Sequence, residues 1–229
     1  SAVCVAYDGL ERFFPKDKII FTGNPVRKDI LDNKINALQA KQSLGLDQNK
    51  KTVLIFGGSL GARTINEAVL ANADNLLEMK NVSIIWQVGK IYYDEYKNCR
   101  LADQKDIKII PFIEDMDKAY SAADIVVCRA GALTISELAI LGKAAVLIPS
   151  PNVAEDHQTV NAMSLVNRGA AILVRDIEAK EKLISEIQSL LGDEVRKRGL
   201  ESNISYFARP EAAKKIAAEI LKICANRKT

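Results

Sequence analysis

The chain has 229 residues, 27% of them charged and 48% hydrophobic, with a formal net charge of +3 at pH 7. That length suits one large domain or one and a half with a real core, and the charge is too small to argue for nucleic acid. The four cysteines, Cys4, Cys99, Cys128 and Cys224, lie far apart without CxxC spacing, so neither a zinc site nor a disulfide framework is indicated and a reducing cytoplasm is expected. No apolar run approaches the ~20 residues of a membrane span, and the first residues do not have the layout of a signal peptide.

In chain order, residues 2–6 and 18–21 read as two short strands. They fit the following domain poorly, because a domain rarely starts on a buried strand. The chain is therefore expected to be a fragment, with 1–30 the end of a preceding α/β domain plus an interdomain segment. Residues 36–51, rich in Gln, Lys and Asn, read as the approach to the second domain. Strands are expected at 52–56, 82–88, 107–110, 124–128, 144–149 and 170–174, where apolar and β-branched residues cluster. Helical patterns at 62–77, 91–100, 115–122, 133–141 and 157–168 lie between them. Repeated βα units imply an α/β fold: a Rossmann-like parallel sheet with helices on both faces, spanning 31–208. After 174 the pattern is helical at 178–191, 194–207 and 210–225. Pro210 suits the start of the last helix but not its interior, so 209–229 is expected to be a separate helix returning towards the preceding domain.

The run Cys128-Arg129-Ala130-Gly131-Ala132-Leu133-Thr134-Ile135-Ser136-Glu137 carries the most information. It joins a buried strand to a helix that Gly142 should end. A small-residue turn there exposes free N–H groups and the positive end of a helix dipole, which suits the anionic part of a ligand. Ser136 and Glu137 are expected in the first helical turn, within reach of a ribose or sugar hydroxyl. Another explanation competes, because Thr134 and Glu137 have the spacing of a capping box.

Three further loops fall at strand ends. Gly57-Gly58-Ser59-Leu60-Gly61-Ala62-Arg63 is neither GxGxxG nor a P-loop, so neither NAD nor ATP follows. Its glycines permit close backbone approach and Ser59 offers a hydroxyl and an N–H to phosphate, or the glycines serve only tight βα packing. In Pro111-Phe112-Ile113-Glu114-Asp115-Met116, Ile113 suits covering a flat base, or Phe112 and Ile113 belong to the core. Ser150 to Gln158 form the longest polar loop. His157, the only histidine, has no Ser or Cys partner motif and reads as a hydrogen-bonding group, while Gln158 can both donate to and accept from sugar hydroxyls. Convergence of these loops at the carboxyl ends of one parallel sheet favours a ligand site.

Together, the 57–63 and 128–137 runs, Asp156-His157-Gln158-Thr159-Val160-Asn161-Ala162 and Gly23-Asn24-Pro25-Val26-Arg27 resemble the sugar-nucleotide half of the MurG family. These are peptidoglycan N-acetylglucosaminyltransferases of glycosyltransferase family 28 with a GT-B fold. The resemblance covers most of 23–174. It implies an inverting enzyme that moves N-acetylglucosamine from UDP-N-acetylglucosamine to lipid I, giving lipid II for cell wall biogenesis, cell shape and division. It implies a cytoplasmic protein held peripherally on the inner face of the bacterial membrane, with the acceptor bound through the missing domain. By motif match, Arg27 and Ser59 lie near the diphosphate or base side, and Ile113 meets uracil through its backbone. Ala132, Leu133, Thr134, Ile135 and Ser136 contact the phosphates, Glu137 the ribose, and Gln158, with His157 second, the sugar. The loop before Gln158 does not align cleanly with the family. Another GT-B UDP-sugar enzyme, a glycolipid glycosyltransferase or a UDP-sugar epimerase, is the alternative.

No catalytic residue is assigned within the chain, since the base is expected in the missing half, and the fragment is expected to be inactive alone. Neither cofactor nor metal is expected. Asp115-Met116-Asp117 spells Asp-x-Asp but falls at a helix start, so the departing diphosphate would be stabilised by helix N-termini, loop N–H groups and Arg27.

Overall fold

The computed structural model describes residues 2–7, 11 and 13–225. Its main sheet has six parallel strands: β3 (Lys51–Phe56), β4 (Val82–Gln87), β5 (Ile107–Ile110), β6 (Ile125–Cys128), β7 (Ala145–Leu147) and β8 (Ile172–Leu173), in the order β5-β4-β3-β6-β7-β8. The first strand of this sheet, β3, thus lies between the second and the fourth. The connections run outward on both sides of it, which is the doubly wound arrangement with a crevice where the order reverses. β1 (Val3–Val5) and β2 (Ile19–Phe21) pair in parallel as a separate two-stranded sheet.

Strand β3 shows why the sheet is covered on both faces. Val53 and Ile55 point into one apolar cluster with Ile65, Val69, Leu183 and Ile187, while Leu54 and Phe56 point into another with Tyr120, Leu138 and Ile30. The first cluster is closed by α3 (Arg63–Ala71) and α9 (Ala179–Gly192). The second is closed by α1 (Lys28–Leu31), α2 (Ala37–Ser43), α6 (Met116–Ala122), α7 (Ala132–Leu141) and α8 (His157–Val166). Leu54 has no exposed surface, so truncating it to Ala would cost about 2–5 kcal/mol.

Several sequence expectations need correction. Residues 36–51 are no mere approach: Asn36 accepts the Gln39 N–H, Gln39 returns the bond, and this capping box starts α2. The helix expected over 62–77 is two, α3 and α4 (Ala73–Leu77). Asn72 breaks it, its side-chain amide donating to the carbonyls of Ala68 (2.9 Å) and Lys180 (2.7 Å). Of the helix expected over 91–100 only α5 (Tyr93–Tyr96) forms, followed by turns. The last described elements are α10 (Glu194–Ser205) and α11 (Ala212–Ala225), the latter beginning just beyond Pro210. The start of α11 rests on the exit of β2, where the Arg209 guanidinium covers the Phe21 ring at 5.2 Å.

Candidate functional site

The carboxyl ends of β3 and β4, the loop after β5, the first turns of α6 and α7, and Arg27 enclose a cavity of about 290 Å³. Arg27, Phe56, Gly58, Ser59, Gln87, Phe112, Ile113, Met116, Leu133 and Glu137 line it. It lies where the strand order reverses. A larger groove of about 890 Å³ runs past Thr64, Pro149, Asp156 and Ile177 beside the ends of β7 and β8. Of the motif residues only Asp156 and Thr159 line that groove, and none of the residues expected to contact a ligand does. The smaller cavity is therefore the candidate site.

The glycine loop forms its first wall. Gly61 sits at φ +79°, where a Cβ would overlap the Val88 carbonyl, and a Cβ on Gly89 would overlap the Leu60 carbonyl. Two backbones touch here, so Gly61 and Gly89 serve packing. Gly58, at φ +91°, faces open space. Gln87, buried at the end of β4, ties the wall to its neighbour. Its amide N–H groups donate to the carbonyls of Gly58 (3.0 Å) and Pro111 (3.2 Å), and its oxygen accepts the Gly57 N–H (3.3 Å). Across from Ser59, Ile113 is half-buried against the core, while Phe112 is exposed with the Lys90 ammonium 5.4 Å from its ring.

The second wall is the start of α7, and here the sequence expectation shifts. Gly131 is the N-cap, no side chain caps the helix, and Ile135 N–H makes the bond to Gly131 oxygen that opens it. The capping box of Thr134 and Glu137 does not form. The helix begins early enough that Ser136 and Glu137 fall in its second turn. The N–H groups of Ala132, Leu133 and Thr134 have no partner within the helix. Ile135 turns its side chain into the core and spends its N–H inside the helix, so it presents neither to the cavity. Ser136 donates to the Ala132 carbonyl (2.9 Å) and accepts from the Asn24 amide (3.2 Å). Asn24 (3.2 Å) and the Tyr7 hydroxyl (2.8 Å) reach the same carbonyl, joining the β1–β2 segment to the helix start. Burial pushes the Tyr7 phenol up to about 12. Gly142, at φ +60°, ends α7 as expected, with Lys143 N–H bonding Leu138 oxygen.

Glu137 is the charged centre. It is 6% exposed. Its Oε2 accepts the Tyr120 hydroxyl at 2.9 Å, and its Oε1 lies 3.6 Å from Arg27 Nε, which also lies 3.7 Å from Asp29. Burial holds its acid above the usual carboxylate range, against the opposing pull of Tyr120 and Arg27.

The remaining candidates lie elsewhere. Gln158 Oε1 accepts the Ser150 N–H (2.9 Å) and closes the 150–158 loop, and exposed His157 places Nδ1 2.8 Å from the Ala154 carbonyl. In that loop Glu155 and Asp156 hold left-handed φ values of 53° and 49°. Asp115 N-caps α6 and takes an ion pair from Lys118 at 2.6 Å, and Asp117 follows in the first helical turn. Among the described residues no group of three or more His, Cys, Asp or Glu side chains is arranged to hold a metal ion. No helix there is long and apolar enough to cross a membrane. Sequence reasoning passed over Gln87 and Tyr120. The one available signal was a polar Gln closing the otherwise apolar β4.

Residues 52–220 match the glycosyltransferase family 28 C-terminal domain. A UDP-N-acetylglucosamine--N-acetylmuramyl-(pentapeptide) pyrophosphoryl-undecaprenol N-acetylglucosamine transferase of Flavobacterium psychrophilum is 48% identical over 231 residues, covering 100% of this chain and 62% of the relative. The like-named protein of Bacteroides fragilis is 48% identical over 223 residues, covering 96% and 59%. The chain therefore spans about three-fifths of these relatives. Among solved structures, Acinetobacter baumannii MurG superposes with a TM-score of 0.70 at 30% identity, over 96% of this chain and 60% of that one. A UDP-GlcNAc 2-epimerase from Neisseria meningitidis bound to UDP-GlcNAc superposes with a TM-score of 0.61 at 19% identity, over 93% and 57%, a likeness of fold alone.

Proposed function

The chain belongs to the glycosyltransferase family 28 C-terminal domain family, and from that premise we propose that it is the donor-binding part of an enzyme of peptidoglycan synthesis. That enzyme transfers N-acetylglucosamine from UDP-N-acetylglucosamine to the lipid-linked muramyl sugar, with inversion. The observation that carries this is the single cavity in which Arg27, Ser59, Ile113, Leu133 and buried Glu137 meet beside the start of α7.

In this reading the base lies against Ile113, Phe112 and Met116, and the ribose hydroxyls donate to Glu137, an acceptor-only group when ionised. The diphosphate meets the N–H groups of Ala132, Leu133 and Thr134, with Ser59 on the facing loop. As the bond to the anomeric carbon breaks, negative charge grows on the leaving phosphate oxygen. The fixed N–H groups and the positive end of α7 stabilise that charge, and Arg27 adds a cation. Attack by the acceptor hydroxyl needs a base, assigned to the part of the relatives that this chain does not span. Residues 1–30 and 209–229 belong with that part, and the protein works in the cytoplasm on the inner face of the membrane. Gln158, whose oxygen is already engaged with Ser150, has only its amide N–H groups to offer the sugar.

Calorimetric titration of the chain with UDP and UDP-N-acetylglucosamine is the test. Both should bind weakly and compete, and transfer to a lipid I analogue should be absent. Failure of UDP to bind, or turnover by the chain alone, would overturn the reading.

A further inference from the structure

We propose that Tyr120 is a positioning residue for the ribose end of the site: its hydroxyl, reaching from α6 beneath α7, commits one oxygen of Glu137 to the protein and leaves the other turned to the cavity. The proposal rests on the reading of Glu137 as the ribose acceptor and adds the group that makes it one.

Tyr120 has no exposed surface. Its ring stands edge-on to Phe56 at 6.1 Å and 73°, and Phe56 itself lines the cavity. Its hydroxyl donates to Glu137 Oε2 at 2.9 Å. The other groups facing Glu137 are Arg27 and Asp29 around the start of α1, and the Cys128 thiol at the end of β6. Arg27 stands 3.6 Å from Oε1, beyond a good hydrogen bond, and its side chain is 46% exposed. Among the described residues Tyr120 is therefore the one short, water-shielded donor that holds the carboxylate plane. The last torsion of a glutamate is broad and soft, so without this bond the plane has no firm anchor. The same bond favours the ionised form against burial. A carboxylate can accept from two ribose hydroxyls, whereas the acid form loses acceptor capacity by carrying its own proton.

The test measures the dissociation constants of UDP and of pyrophosphate, which has no ribose, between pH 5 and 8. Wild type, Tyr120→Phe and Glu137→Gln are compared. Phe retains the ring against Phe56 and removes only the hydroxyl. Tyr120→Phe should weaken UDP about fivefold at pH 7 and move the acid-side midpoint of binding up by roughly half a unit or more, leaving pyrophosphate unchanged. Equal loss of UDP and pyrophosphate would reduce Tyr120 to a packing residue and overturn the proposal. If Glu137→Gln weakens UDP while Tyr120→Phe changes neither affinity nor midpoint, Tyr120 has no such role and the ribose reading stands. If Glu137→Gln leaves UDP binding intact, the ribose reading itself fails. Should Tyr120→Phe not fold, 3-fluorotyrosine at position 120 keeps the shape and acidifies the hydroxyl. The midpoint should then fall, and an unmoved midpoint would overturn the proposal.

Discussion

Replacing Glu137 by Gln should separate binding from stability in opposite directions. Gln occupies the same space and its carbonyl still accepts the Tyr120 hydroxyl, so the corner keeps its 2.9 Å bond. What is lost is the negative charge beside Arg27 and the second oxygen able to accept from ribose. A hydrogen bond to a charged group contributes about 1.5–3 kcal/mol, so UDP affinity at pH 7 should fall by roughly tenfold to a hundredfold. The stability effect has the other sign. Burial raises the folded acid above its ordinary value of 4.5, so the native state holds this proton more tightly than the unfolded chain. The contribution of Glu137 to stability is thus greatest below 4.5 and is lost as pH rises through the raised folded value. Gln carries no such dependence. The variant's melting temperature relative to wild type should therefore climb between pH 4 and pH 7.5, read by thermal melting in matched buffers, while calorimetry with UDP reports the loss of affinity. A variant that binds UDP as wild type does, or whose relative melting temperature falls with rising pH, would refute this account of the carboxylate.

Three further outcomes follow from the same geometry. UDP binding should be unchanged by EDTA, because N–H groups and a helix end are assigned to the diphosphate; calorimetry showing binding only with magnesium or manganese would contradict that. Gly61→Ala should be far more damaging than Gly58→Ala, since both positions have positive φ but only Gly61 abuts a backbone carbonyl. Strain alone costs about 1–3 kcal/mol at each, and the overlap at Gly61 should push its loss in melting temperature well past that of Gly58. Gln87→Leu should destabilise by about 1–3 kcal/mol, by stranding the Gly57 N–H and the Gly58 and Pro111 carbonyls. It should also weaken UDP, and a variant with unchanged melting and unchanged UDP affinity would show that these bonds do not hold the walls together.

The strands of the main sheet were legible because each is a short apolar run bounded by turn residues, and a parallel sheet follows from their alternation with helices. Helix limits were less so. Asn36 and Gln39 carry a capping box in plain view, yet the polar composition of 36–51 hid a helix of only seven residues, α2. Thr134 and Glu137 have the same kind of spacing and form no box, because the helix had already begun at Ala132. Spacing names a possible cap, and only the chain's path decides whether the residue stands at the end. Of the residues that line the cavity, Ser59 and Ile113 stood out in loops at strand ends and Glu137 at the helix start after β6, whereas Arg27 and Leu133 came only with the family resemblance. Tyr120, mid-helix, gave no signal, and Gln87 only that of a polar residue closing an apolar strand. Their partners lie at sequence distances that no local pattern records.

The contact of Gly61 with Val88 and of Gly89 with Leu60 has a kinetic meaning. Two loops locked backbone to backbone have little conformational freedom left to lose when a nucleotide arrives, so the ordering penalty on that wall is small. Association should then proceed without a slow rearrangement of the glycine loop. Nucleotides that differ only in how well they fit there should enter at similar rates and differ in how long they stay.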